Sequence, residues 1–201
     1  MKFVGHLAEP YGKLRLGSPI FVNPMVPCGV CEACLAGRSN VCRTLTSVGI
    51  DYPGAITART VVPGYGIYSL PADVDLVAAA MIEPTAVAVR AVRRSGLALG
   101  GRAHVIGSGP VGCLVGLLAT AAGATVTMSE PSALRRKYAT ELGLTIVENP
   151  DDLGYGADVV FDASGHHSRW PSSCSAGREP LAPRSSSVPT SRRCMVSTCL
   201  Q

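Results

Sequence analysis

From residue 101 onward, the apolar positions alternate between two spacings. His104-Val105-Ile106, Thr125-Val126-Thr127-Met128 and Leu144-Thr145-Ile146-Val147 are short apolar runs that read as strands. Ala157-Asp158-Val159-Val160-Phe161-Asp162 reads as a fourth. Between the first two, Val111, Leu114, Val115, Leu118, Ala119 and Ala122 recur at i, i+3, i+4 and i+7, the stripe of a helix that Gly123 ends. That helix is apolar nearly all round, which predicts cover on both sides. Ser132 is placed to cap a further helix carrying Leu134, Tyr138 and Leu142, with Gly143 as its stop. Strand, helix and strand in succession predict a parallel, doubly wound α/β sheet over residues 101–167.

The first hundred residues follow a different pattern. Leu14-Arg15-Leu16 and Ile20-Phe21-Val22 read as short strands separated by Gly17-Ser18-Pro19, and residues 44–72 as further short strands that turn at Pro53-Gly54 and Pro63-Gly64 and end in Ile67-Tyr68-Ser69-Leu70. Short strands with such turns predict a small barrel-like β region over residues 1–72. Residues 73–100 then read as connecting helices. An alanine-rich segment spans 73–82, and a second helix opens at Glu83-Pro84 and stops at Gly96. Arg93-Arg94 at its end suits the negative end of the helix dipole.

Two stretches break these patterns. Only about ten residues join Val147 to Asp158, short for a parallel crossover, so the sequence predicts a tight loop there without a helix. Residues 168–201 are dominated by Ser, Arg and Pro, with Cys174, Cys194 and Cys199 scattered among them. Such a segment buries too little apolar surface to order itself and is expected to be disordered.

Composition narrows the function classes. The net charge is +4, but several arginines cluster in the last quarter, leaving the body near neutral. A nucleic-acid surface is therefore not expected. No apolar run reaches the roughly 18–20 residues that cross a bilayer, and the start carries no secretory core, so the expected compartment is the cytoplasm.

Candidate chemistry is concentrated in two places. Cys28, Cys31, Cys34 and Cys42 form C-x2-C-x2-C-x7-C within fifteen residues, with Gly29 and Gly37 placed for tight turns. Free or disulfide-paired cysteines are the alternative, but four thiols at this spacing in a reducing compartment point to a closed tetrahedral zinc site of structural type. The lobe at 28–42 is thus a metal candidate. The second place is Gly107-Ser108-Gly109-Pro110-Val111-Gly112, a G-x-G-x-x-G that follows a strand and opens a helix, with Glu130 eighteen positions on. That context predicts a dinucleotide site. Gly107 would make the turn, Gly109 would admit the pyrophosphate, and Gly112 would pack helix on strand. Pro110 and Val111 open the helix whose N–H groups would meet the phosphates. A ribose hydroxyl would donate to Glu130, which favours NAD over NADP, although Arg135 could reach a 2′-phosphate.

With these motifs in place, the stretch from about Leu14 to Gly165 resembles the zinc-containing medium-chain alcohol dehydrogenase family. Its polyol and threonine branch (sorbitol, butanediol, L-threonine, L-idonate) is the most similar. The resemblance rests on Pro24-Met25-Val26-Pro27-Cys28-Gly29-Val30-Cys31-Glu32-Ala33-Cys34, on Ile82-Glu83-Pro84-Thr85-Ala86-Val87-Ala88-Val89, on the glycine loop, and on the segment from Gly156 to Gly165. It implies part of a GroES-like barrel carrying a structural zinc lobe, followed by part of a Rossmann NAD domain. It further implies zinc-assisted hydride transfer from an alcohol or polyol to NAD, in a protein that forms homo-oligomers in relatives. Glu83 matches one ligand, direct or through water, of the family's catalytic zinc. Two further ligands have no match, because no cysteine precedes Cys28 and Gly5-His6 is followed by Leu7 rather than Glu. The sequence therefore reads as truncated at both ends relative to the family, leaving its frame after about Gly165. The alternative function is an inactive zinc- and nucleotide-binding remnant. Cys113 and His104 are expected to be structural, and His6 a surface residue.

Overall fold

Ile20 and Val22 are buried while Pro19 and Phe21 beside them are only partly so, the alternation of a strand with one face on a core. This strand belongs to a computed structural model that describes residues 4–7, 12–147, 156–165 and 193–194. The chain divides into two units, Met1–Ile82 and Glu83–Gln201. The predicted connecting helices fall across that division.

In the first unit, β1 (Val4–His6) and β2 (Pro19–Val22) pair antiparallel. β3 (Met25–Val26) leads into α1 (Glu32–Leu35) and returns as β4 (Thr46–Ser47), its antiparallel partner. β5 (Ile67–Ser69) then adds to the other side of β2. Leu7, Ile20 and Val22 form the small core, with Leu14, Val62 and Ile67 against it. Phe21 and Tyr68 sit opposite each other across β2 and β5, their rings 6.2 Å apart. α2 (Leu76–Ala79) follows, capped by the Asp75 carboxylate on the N–H of Val77.

Two expectations for this unit need correction. Leu14-Arg15-Leu16 is a turn rather than a strand, apart from a single bridge at Leu14. Gly17 takes φ 79° and the N–H of Ser18 bonds back to Arg15, so the segment reverses between β1 and β2. Residues 53–63 also form no strand, and Ile56 and Val61 are exposed.

The second unit begins with α3 (Ile82–Ser95), which has Glu83 in its first turn and Arg93 and Arg94 in its last. β6 (Arg102–Ile106), α4 (Pro110–Ala121), β7 (Thr125–Ser129), α5 (Ala133–Glu141), β8 (Thr145–Val147) and β9 (Val159–Asp162) follow. The sheet runs β8-β7-β6-β9 and all its pairs are parallel. Strand order reverses beside β6, so its crevice opens where β6 and β9 end, the position where doubly wound sheets bind ligands. Ala103, Val105, Val126, Met128, Val159 and Phe161 form the core with Val115 and Ala119 of α4.

The predicted α4 stripe faces the core, with Val115 and Ala119 in it and Val111, Leu114 and Leu118 against it, but the cover expected on its other side and the predicted α5 stripe are not found. Leu117 of α4 is exposed, so that helix is not covered on both sides among the described residues. On α5 it is Ala139 that is buried, whereas Leu134, Tyr138 and Leu142 are exposed. A small side chain lets the helix approach the sheet closely, and it lies about a quarter-turn from the larger residues. The predicted loop between Val147 and Asp158 lies mostly outside the described residues. So does most of the predicted disordered tail. Arg193–Cys194 depart from that expectation, pairing as a parallel strand β10 on the open edge of β9, whose free backbone groups accept a further strand.

Candidate metal centre and nucleotide site

Between Cys28 and Cys42 the chain folds back through tight turns. Gly29 and Gly37 take φ 76° and 73°, the left-handed backbone their spacing predicted. Cys31 caps α1, so Cys34 follows one turn later on the same side. A 3-10 turn at Ser39–Val41 then delivers Cys42. The four Sγ atoms lie within 4.8 Å of one another. Cys31 is 3.6 Å from Cys34 and 3.9 Å from Cys42. Zinc with four sulfurs at about 2.3 Å has tetrahedral edges of about 3.8 Å, so the cluster is close to the size that ion requires.

The backbone supports negative charge at this point. The N–H of Cys28 donates to Cys42 Sγ at 3.3 Å, and that of Cys31 to Cys28 Sγ at 3.4 Å. The N–H groups of Val30 and Cys31, then the Cys42 thiol, draw the Cys28 thiol down to about 6. Cys34 is pushed up to about 12, first by desolvation and then by its neighbour Cys31. Crowded thiols cannot all ionise unaided; a divalent cation among them removes the conflict.

The second site lies at the crevice. Gly107 turns out of β6 at φ 93°, and a Cβ there would lie 3.0 Å from the backbone of Ala163 and Ser164, which leave β9. A Cβ on Gly112 would overlap the carbonyl oxygen of Gly107. Gly109 has nothing within 4 Å of its missing side chain. It is the N-cap of α4, Pro110 occupies the first helical position, and no side chain caps that turn. An open cradle over an uncapped helix start fits a pyrophosphate.

Glu130 follows β7 directly and is buried. Its Oε2 accepts the N–H of Ser108 at 2.9 Å and the Ser108 hydroxyl at 3.4 Å, while Oε1 accepts the N–H of Ser132 at 2.9 Å. Burial alone would raise its pKa. The N–H groups of Ser132 and Ser108, the charge of Arg135 and the Ser108 hydroxyl outweigh burial and hold the carboxyl below its ordinary value. The Cys113 thiol donates to the Ser108 carbonyl at 3.3 Å, so the Ser108 peptide is held from both sides. Sequence reasoning missed Arg136, whose Nη1 donates to the carbonyls of Glu130 at 3.0 Å and Pro131 at 2.6 Å. An arginine in the first turns of a helix, opposed to the dipole, was the available signal.

Glu83 is partly exposed in the first turn of α3. Among the described residues the four cysteines are the one group of three or more His, Cys, Asp or Glu donors gathered for an ion, and Glu83 is not in it. His6 is exposed on β1, and His166 and His167 lie outside the described residues. His104 is 0% exposed, its ring nitrogens 3.0 Å from the Thr127 hydroxyl and 3.1 Å from the Ser129 hydroxyl. Among the described residues, no helix is long and apolar enough to cross a membrane.

Two family models match the chain. Residues 2–72 match the alcohol dehydrogenase GroES-like domain, and residues 110–179 match zinc-binding dehydrogenase. The chain is similar to 2-dehydro-3-deoxy-L-galactonate 5-dehydrogenase of Pseudoalteromonas atlantica, 40% identical over 173 residues, covering 81% of this chain and 50% of that protein. It is also similar to L-threonine 3-dehydrogenase of Bacillus subtilis, 33% identical over 174 residues, with 81% and 50% covered. Among solved structures, a protein from Sinorhizobium meliloti 1021 described as a zinc-binding dehydrogenase bound to NADP superposes with a TM-score of 0.75 at 31% identity, over 82% of this chain and 53% of that one. The chain spans about half the length of the curated relatives it matches.

Proposed function

Since the chain belongs to the zinc-binding alcohol dehydrogenase family, we propose that it holds one structural zinc and binds NAD as part of an alcohol or polyol dehydrogenase. The observation that carries the nucleotide half is the Glu130–Ser108 bond beside the open cradle at Gly109. Zinc would be held by Cys28, Cys31, Cys34 and Cys42. Four protein sulfurs leave no open position, so this ion would brace the lobe and take no part in the reaction.

The nucleotide would lie with its pyrophosphate over Gly109, against the N–H groups that open α4. An ionised Glu130 accepts hydrogen bonds from ribose hydroxyls and repels a 2′-phosphate, which favours NAD. The S. meliloti protein holds NADP; the reading of NAD for this chain rests on the Glu130 carboxylate. Bound in this way, NAD supplies the acceptor for the hydride of a secondary alcohol.

A catalytic zinc does not fit the described residues. Such an ion needs about three protein ligands with one position open, and Glu83 has no such companions among them. The same observation favours a second reading, a chain that binds zinc and nucleotide without turnover. Assays of NADH binding and of NAD-dependent oxidation of sorbitol, butanediol and threonine separate the two. Binding with turnover supports the dehydrogenase, and binding alone supports the second reading. If neither is found, both fail.

A further inference from the structure

Arg136 spends one guanidinium nitrogen on two successive carbonyls, those of Glu130 and Pro131, at 3.0 and 2.6 Å. These peptides form the short connection between β7 and α5, the backbone that carries the Glu130 side chain. On its other end, Glu130 is fixed by the N–H groups of Ser108 and Ser132. The carboxylate is thus held at both ends, by Arg136 through its own backbone and by two N–H donors at its oxygens. Arg135, one residue earlier, is exposed and acts on Glu130 through charge alone. A charged donor on a carbonyl pair restricts direction more than a surface ion pair does.

We propose that Arg136 is a positioning residue for the adenosine ribose of the cofactor, acting by holding the Glu130 carboxylate where it meets the 2′-hydroxyl. This rests on the nucleotide reading above. Arg136 itself touches no cofactor atom in that role. The preference for NAD then depends on a residue that sequence comparison of the acidic position alone would pass over.

The test compares NADH with its analogue lacking the adenosine 2′-hydroxyl, both titrated calorimetrically into the full chain. The parent chain is expected to bind NADH roughly tenfold more tightly than the analogue, the scale of a hydrogen bond to a charged acceptor. Arg136→Met is expected to reduce that ratio to about twofold, with affinity for the analogue unchanged. Arg136→Lys, which keeps a cationic donor on a shorter reach, is expected to restore part of the ratio. Equal weakening toward both ligands would mark Arg136 as merely structural and overturn the proposal, as would no change toward either. If the Met variant does not fold, Arg136→Gln and Arg136→Lys carry the same comparison. Failure of the parent chain to bind NADH at all would overturn the nucleotide reading and this inference together.

Discussion

The carboxylate of Glu130 accepts the backbone N–H of Ser108 at 2.9 Å, so the residue that follows β7 also holds the loop that leaves β6. The sequence assigns Glu130 to the ribose alone. In the fold it has a second role, because the glycine loop keeps its shape partly through this bond. Binding and local stability should therefore change together when Glu130 is altered.

Glu130→Ala would leave the N–H groups of Ser108 and Ser132 without their acceptor. The expected loss is about 2 kcal/mol of stability, read by thermal or urea unfolding, together with loss of NADH binding. Glu130→Gln keeps one carbonyl acceptor and should fall between. The carboxyl is held below its ordinary value, so its contribution is present above that ordinary value and is lost as pH falls through the lower folded value. Acid unfolding of Glu130→Ala should accordingly show a weaker pH dependence below about pH 4.5 than the parent does.

Gly109 and Gly112 separate binding from folding. A methyl group on Gly109 meets nothing within 4 Å, but it fills the cradle over α4. Gly109→Ala should melt at the parent's temperature and lose NADH affinity at least tenfold. A methyl group on Gly112 collides with the Gly107 carbonyl, so Gly112→Ala should lower the melting temperature and perturb the loop. Paired melting and binding curves for the two variants check this directly.

His104 makes stability depend on mildly acidic pH. Burial draws its pKa from 6.5 down to about 4, and its ring nitrogens bond to the hydroxyls of Thr127 and Ser129. Its folded pKa is depressed, so the neutral ring is the form the fold favours. That stability is fully present above pH 6.5 and is lost progressively as pH falls toward 4. The loss attributable to His104 is about 3 kcal/mol at most. Urea unfolding at a series of pH values should show a steeper decline for the parent than for His104→Gln. Parallel curves would contradict the assignment.

The second unit was legible because its signals reinforce one another. Val111 and Val115 carry a helical period, β-branched runs flank it, and Gly107 and Gly123 mark where the chain must turn. Period alone did not fix the phase of α5, where Ala139 is buried and Leu134 faces out. Nor did apolar content show what would cover Leu117. The first unit was harder. Its ribbon strands are two residues long, too short for alternation to register, and Arg15 and Leu16 fall in a turn set by Gly17. The four cysteines were readable because ligand spacing is a local constraint. Arg136 was harder to read, since it bonds to backbone carbonyls and its mark in the sequence is a cation early in a helix, against the dipole. Glu83 kept its predicted place at a helix start, without the companions a catalytic ion requires among the described residues.

The most direct test is the zinc content of the purified full chain after dialysis against a weak chelator, measured by atomic emission. One zinc per chain, absent from Cys31→Ser, is the expected result. No retained zinc would contradict the four-sulfur site. Two zinc ions per chain would contradict the absence of a second ligand set around Glu83.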